Sequence, residues 1–389
     1  MCQITDRHPC ATLGVSLHSV DMFRTGFSFL RGSERKVVGK TKKEGGVGSG
    51  TGRIQAPGPT TKPDPFAGMA ALVITFLFCL VVGGLVAIPL WIDGFLIDPI
   101  ASIVDWTRTF FSWLVIVGGL RLLWWIGVLR RPIGFEFRVL FVMSGSILGS
   151  VVTLGILSSI YSWGKLMVPF FNHAVFDRQL QDLTVWLHFG VDPNWFLVTL
   201  FSDTPMAERF LDFIYGLYLP FVLLSTAWYL TSPEPATRHR YLRGFVLVWS
   251  SGLALYWLVP ALGPVFVFED LASVVSVHYP VAASSQYLLI TNYQKVLEVL
   301  RGVPVPVFPL FGVAAMPSLH CALPTFVYLF SVERSEWTRY VILPFLMLTI
   351  VASVATGWHY AIDSYVGVAL GWICWLAVRR PRGCQGTRP

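Results

Sequence analysis

Eight apolar runs, each long enough to cross a bilayer, recur along the chain at roughly 69–91, 108–128, 139–162, 211–230, 244–262, 316–333, 340–357 and 360–378. Several are rich in small residues, as at Ser144, Gly145, Ser146, Gly149 and Ser150, which suits close helix–helix contact in lipid. No internal repeat links the runs. The pattern predicts an all-α, polytopic membrane helical bundle of about eight transmembrane helices, with seven or nine as the neighbouring counts.

The segments between the runs differ in kind. Residues 1–66 carry ten Lys and Arg, a Gly-rich stretch from Gly45 to Gly52 and a Pro/Thr cluster, but no run long enough to span. They read as a disordered basic cytoplasmic tail; Met69, at the edge of the first run, offers an alternative start. The loop at about 163–210 places Phe176, Leu180, Leu183 and Leu187 at helical spacing. That is either an amphipathic helix lying in the membrane interface or a packed loop helix. The loop at about 263–315 carries Gly263, Pro264, Pro280, Pro304, Pro306 and Pro309, and reads as a lid or wall too broken for regular structure.

Composition agrees with membrane insertion. Only 13% of the 389 residues are charged, where a soluble domain carries about 25%, and mean hydropathy is +0.62. The formal net charge of +7 does not point to nucleic acid, because the basic residues sit in loops and tails. With the N-terminus inside, 22 of the 29 Lys and Arg fall on inside segments and six in outside loops, with Arg121 inside a run. The positive-inside rule therefore puts both termini in the cytoplasm and the ends of the runs near residues 320 and 359 on the outer (periplasmic, extracellular or luminal) face. Trp91, Trp106, Trp163, Trp195 and Trp358 fall near outer boundaries, as an interfacial belt requires. The six cysteines, Cys2, Cys10, Cys79, Cys321, Cys374 and Cys384, predict neither a disulfide nor a zinc site.

Candidate chemistry concentrates between Phe311 and Gly367. His320 opens one apolar run, and His359 with Asp363 opens another 39 residues later. The intervening chain crosses the bilayer twice, so both histidines return to one face. His359 and Asp363, four apart, are placed to meet on one helix face. A carboxylate that fixes one ring nitrogen leaves the other free as a nucleophile and stabilises the cation formed; the same pair also reads as a structural helix cap. In Met316-Pro317-Ser318-Leu319-His320, Pro317 suits a first helical turn and Ser318 a cap, where free N–H groups bind phosphate. A histidine one turn in could donate a proton to a leaving oxygen, or serve as an interfacial hydrogen-bonder.

Pro317-Ser318-Leu319-His320 and Gly357-Trp358-His359-Tyr360-Ala361-Ile362-Asp363 resemble the second and third signature motifs of the type 2 phosphatidic acid phosphatase superfamily. Leu319, Leu255-Tyr256-Trp257-Leu258-Val259-Pro260 running into Gly263-Pro264, and Leu187-His188-Phe189-Gly190-Val191-Asp192-Pro193 are similar to its inositol phosphorylceramide synthase branch. The resemblance covers about 170–375. It implies that His359 attacks phosphorus to form a phospho-histidine, that Asp363 orients it and that His320 protonates the departing alcohol. Water or a second lipid's hydroxyl would then attack, with no cofactor and no metal.

Two departures bear on the substrate. The superfamily's first motif, a Lys followed seven residues later by Arg-Pro, is absent, and the Arg many members carry six residues before the nucleophile is here Ser353. A less charged phosphodiester headgroup, or cations from elsewhere, would fit. Ser318, Ser353, Arg301, Lys295 and Arg121 are the substrate-binding candidates, with Lys165 a further cation; His173, His188 and His278 read as structural. Arg121 stands out because a charge within a span faces a cavity or partner, unless it snorkels to the inner interface.

The sequence thus divides into a tail at 1–66, two accessory helices at 67–138, a catalytic membrane domain at 139–380 and a tail at 381–389. The expected activity is a metal-independent lipid phosphotransferase or phosphatase at the outer face, moving a phosphoinositol-like headgroup from a phospholipid to a lipid alcohol or water. The alternatives are a phosphatase of a lipid monophosphate or polyprenyl diphosphate, a lipid transporter or scramblase, and a non-catalytic membrane partner. Membrane lipids are the expected partners, nucleic acid is not, and the oligomeric state is left open.

Overall fold

A computed structural model describes residues 99–127, 133–303 and 312–379, all within one unit, Thr61–Pro389. The expected tail at 1–66 and the first apolar run, 69–91, lie outside the described residues. Within them the chain is helical throughout, with no strand. In lipid this is what an uncharged apolar run must do, because a helix satisfies its own backbone.

The helices are α1 (Pro99–Gly127), α2 (Ile133–Leu166), α3 (Asp177–Leu187), α4 (Pro193–Phe201), α5 (Pro205–Gly216), α6 (Tyr218–Leu230), α7 (Pro235–Leu258), α8 (Glu269–His278), α9 (Pro280–Leu300), α10 (Leu319–Val332), α11 (Arg339–Ala355) and α12 (Ala361–Val378). Single helical turns stand at Val168–Phe171, Pro264–Val267 and Glu336–Thr338. Among the described residues four helices are long and apolar enough to cross a membrane, or five if α5 and α6, bent by 41° at Leu217, form one broken span. α7 carries Arg238, Arg240 and Arg243, and α10 has only 14 residues.

α10 is the buried centre. Cys321, Ala322, Leu323, Phe326 and Phe330 are wholly buried, and α6, α7, α11 and α12 pack around it. Glycine makes the closest of these approaches possible. A Cβ at Gly367 or Gly371 of α12 would overlap the carbonyls of Ser318 and Ala322, and one at Gly244 of α7 would overlap Phe326. The small residues Gly145 and Gly149 have no described atom within 4 Å of a Cβ position; α2 makes its close contacts at Gly155, against Thr107 of α1, and at Gly164, against Leu253 of α7.

One long loop departs from expectation and the other forms its expected helix. Residues 264–300 are largely helical rather than irregular. Pro264 and Pro280 occupy first helical turns, where a missing N–H costs nothing, so they start helices instead of breaking them. Residues 304–311, with the remaining prolines, lie outside the described residues. In the other loop α3 does form, but its buried face is Asp177, Leu180 and Thr184, while Leu183, Trp186 and Leu187 are exposed.

Candidate active site

The α10 and α12 pairing brings the N-terminal ends of these two helices together, and with them the two histidines. His320 is the second residue of α10. His359 lies just ahead of α12, whose cap residue is Tyr360. Nε2 of His359 and Nδ1 of His320 are 3.5 Å apart, and the ring centroids 5.6 Å. His359 is 4% exposed and His320 half-buried.

Nδ1 of His359 donates to the carbonyl of Ala315 at 2.9 Å. A carbonyl can only accept, so this bond fixes the tautomer and leaves a lone pair on Nε2, the nitrogen that faces His320. Asp363 stands at 3.6 Å from Nδ1, an ion-pair distance rather than a hydrogen bond. Its Oδ2 accepts the Tyr360 N–H at 2.9 Å, as a carboxylate at the third position of a helix commonly does. The sequence assigned ring orientation to Asp363; the structure gives the bond to Ala315, and Asp363 stands behind it as a cap and a nearby negative charge. Its Oδ1 is buried without a hydrogen-bond partner.

His320 sits between aromatic rings. Tyr215 stacks on it at 4.6 Å with its hydroxyl 3.4 Å from Nδ1, and Tyr218 lies at 4.1 Å and donates to the Leu319 carbonyl at 3.2 Å. Trp358 stacks on the far face of Tyr215 at 5.5 Å. The bend at Leu217 lets two tyrosines three residues apart reach the same imidazole from different helices.

The loop carrying His359 is tied from several sides. Asn194 donates through Nδ2 to the carbonyls of Val354 at 2.7 Å and His359 at 3.1 Å, and Gln286 donates to Thr356 at 2.8 Å. Asp177, 1% exposed, accepts from the amides of Leu262 and Gly263 and, at 2.9 Å, from the hydroxyl of Tyr360. Burial first, and then the Asp177 charge, hold the Tyr360 phenol far above its ordinary pKa, so it remains the donor of that pair. Gly263, at φ +109, lets the 260–265 segment run against the Trp358 carbonyl, where a Cβ would come within 2.5 Å. Asn194, Tyr215, Tyr218, Asp177 and Ala315 were not candidates from sequence. Their partners lie tens to more than a hundred residues away, and only Asp192-Pro193, a cap followed by a first-turn proline, signalled that the Asn194 turn was built with care.

The substrate-binding candidates scatter. Ser318 is wholly buried; its N–H donates to the Asp363 carbonyl at 3.0 Å, and its hydroxyl makes no cap and has no partner. Ser353, also buried, donates to Ile350 and lies 3.3 Å from Ser364, while its carbonyl accepts the His359 N–H at 3.2 Å. Arg121 donates to the Trp228 carbonyl at 3.0 Å and lies over that ring. Trp228 is ten residues along α6 from Tyr218, roughly 15 Å, so Arg121 belongs to the other end of the bundle. Lys295 is half-buried on α9 and Arg301 exposed just beyond it, with no hydrogen bond or ion pair to either histidine. Lys165, half-buried at the end of α2, lies over the rings of Tyr161 and Tyr256.

The remaining histidines have other places. His188 bonds the Thr184 carbonyl at 2.7 Å and the Tyr365 hydroxyl at 2.8 Å, and His278 pairs with Glu208 at 2.7 Å. His173 lines a mostly apolar cavity with Asn172, Pro260, Ala261, Tyr293 and Ala314, which neither His320 nor His359 lines. Among the described residues no group of three or more His, Cys, Asp or Glu side chains gathers as a metal site would.

Two imidazoles nitrogen to nitrogen, one with its tautomer fixed from behind, can divide nucleophile and proton donor between them. A profile of the PAP2 superfamily matches residues 178–377, more than half of the chain and both histidine motifs. No curated protein and no solved structure matches.

Proposed function

Because the chain belongs to the PAP2 superfamily, and so carries a phosphatase-type lipid function in an integral membrane bundle, we propose that it transfers or hydrolyses a phosphorylated lipid headgroup through a covalent intermediate on His359. The observation that carries this reading is the 3.5 Å approach of His359 Nε2 to His320 Nδ1, with the opposite nitrogen of His359 already bonded to Ala315.

In the first step the Nε2 lone pair attacks phosphorus and the bond to the lipid's alcohol oxygen breaks. That oxygen takes a proton from His320, which gives the free lipid alcohol and phospho-His359. In the second step His320 removes the proton of an incoming hydroxyl, the new P–O bond forms, and the P–N bond breaks to restore His359. Asp363, behind the ring, stabilises the positive charge that develops on it. An attacking nitrogen needs about 3–3.5 Å to phosphorus and a proton donor a further 2.6–3.2 Å to its oxygen, so the two nitrogens must stand at least about 6 Å apart around a substrate. Substrate binding on this reading requires the two nitrogens, 3.5 Å apart, to separate.

The positive-inside count favours the outer face for this site. Fourteen residues give α10 a length of about 21 Å against an apolar core of about 30 Å, which supports a site recessed beneath the headgroups and reached sideways from the leaflet. For the substrate class, the missing cationic motif and the similarity to the inositol phosphorylceramide synthase branch favour a phosphodiester donor and a lipid alcohol acceptor.

Purified protein incubated with phosphatidylinositol and ceramide, beside phosphatidic acid and a polyprenyl diphosphate, separates the readings by product mass. The proposal expects headgroup transfer, diacylglycerol release, or both, lost in His359→Ala. Turnover that survives in His359→Ala contradicts the mechanism; turnover of phosphatidic acid or the diphosphate alone would leave hydrolysis and remove the transferase reading.

A further inference from the structure

In-line transfer of a phosphoryl group concentrates negative charge on its nonbridging oxygens, and the protein must meet that charge with cations or N–H donors. The histidines cannot do this while acting as nucleophile and acid. Arg121 is engaged at the opposite end of the bundle. We infer that Lys165, held between the rings of Tyr161 and Tyr256 on α2 and α7, binds the nonbridging phosphoryl oxygens of the substrate; this rests on the catalytic reading of His359 and His320.

Nζ of Lys165 lies 5.6 Å from the Tyr161 ring centroid and 5.1 Å from that of Tyr256, whose hydroxyls are 3.3 Å apart. It has no carboxylate partner among the described residues, so two ring faces and the end of α2 are its compensation. A half-buried ammonium inside an apolar bundle is costly when it faces nothing and is the expected feature of a site that receives an anion. The backbone also places it. Gly312 packs directly on Lys165, where a Cβ would come within 2.7 Å of the Lys165 carbonyl carbon. Three residues on, Ala315 holds His359.

Lys165 and Tyr161 precede the matched region 178–377. The anion subsite is therefore supplied by a helix outside the segment that carries the two histidine motifs, which makes α2 part of the catalytic machinery. It also answers how a chain without the superfamily's first cationic motif could hold a phosphate.

The test compares Lys165→Met, which keeps the apolar stem, with Lys165→Arg, which restores the charge. Each is measured for kcat and KM on the lipid substrate, for inhibition by orthovanadate, and for thermal unfolding in detergent beside His359→Ala. The inference expects Lys165→Met to lose about 10²-fold or more in kcat/KM and to weaken orthovanadate by a similar factor. Lys165→Arg should recover most of both, and all three proteins should unfold near the wild-type temperature. Lys165→Met with wild-type kcat/KM and vanadate affinity, while His359→Ala is inactive, overturns the Lys165 subsite and leaves the catalytic pair standing. An active His359→Ala overturns the catalytic reading and the subsite with it. If Lys165→Met unfolds, failure of Lys165→Arg to bind vanadate overturns the subsite by itself.

Discussion

At one end of the bundle Arg240 meets Glu333 at 2.6 Å, Arg334 meets Glu234 at 2.8 Å, and Arg238 donates to the Ser232 carbonyl at 2.8 Å. At the other end, one α10 length away, Lys165 has two tyrosine rings and no acid partner among the described residues, and two imidazoles face each other. Acids are present there too, but they are engaged elsewhere: Asp177 accepts from the amides of Leu262 and Gly263 and from the Tyr360 hydroxyl, and Asp363 accepts from the Tyr360 amide. The contrast separates two uses of charge. Paired guanidinium groups close an end of the fold. A cation left without a counter-ion beside nucleophilic nitrogens marks the end that waits for an anion.

Substitutions at four positions test the contrast. His359→Ala should have the largest effect, a loss of about 10⁴-fold or more in kcat, with thermal unfolding lowered only by the bond to Ala315. Next, His320→Ala should lose about 10² to 10⁴-fold and recover on a substrate whose leaving alcohol is more acidic; an equal loss on both substrates would remove His320 as the acid. Asp363 distinguishes cap from catalyst. Asn keeps an acceptor for the Tyr360 amide, so Asp363→Asn should hold stability and lower kcat, whereas Asp363→Ala should also lose about 1 kcal/mol of stability. Unchanged kcat in Asp363→Asn would make the residue a cap alone. At the paired end, Arg334→Ala should cost about 0.2–1 kcal/mol, the range for partly exposed pairs, and leave kcat unchanged. A large activity loss there would erase the distinction.

The meeting of His320 with His359 was legible in the sequence, because the two apolar runs between them predict a return to one face whatever the packing. The orientation of His359 was not. Spacing of four predicts contact only inside a helix, and His359 precedes the first turn of α12, where Asp363 is claimed by the Tyr360 amide. The acceptor for the ring is a carbonyl 44 residues upstream, and backbone acceptors leave no trace in residue type. Prolines misled for a physical reason: Pro264 and Pro280 read as breakers, yet at a first helical turn they are starters. Arg121 was rightly singled out as an unusual charge, but only tertiary structure could say which end of the bundle it serves. Tyr215 and Tyr218 were hidden because their use depends on the 41° bend between them.

The central claim is a covalent bond between phosphorus and His359. The direct measurement is to mix the purified enzyme with lipid substrate carrying radiolabelled phosphorus, quench in alkali within the first turnovers and map the label by mass spectrometry. The account predicts an acid-labile, alkali-stable phosphate on the peptide containing His359, absent in His359→Ala and accumulating in His320→Ala when the leaving alcohol is acidic. Label on another residue, or full turnover with no labelled enzyme at any quench time, would contradict it.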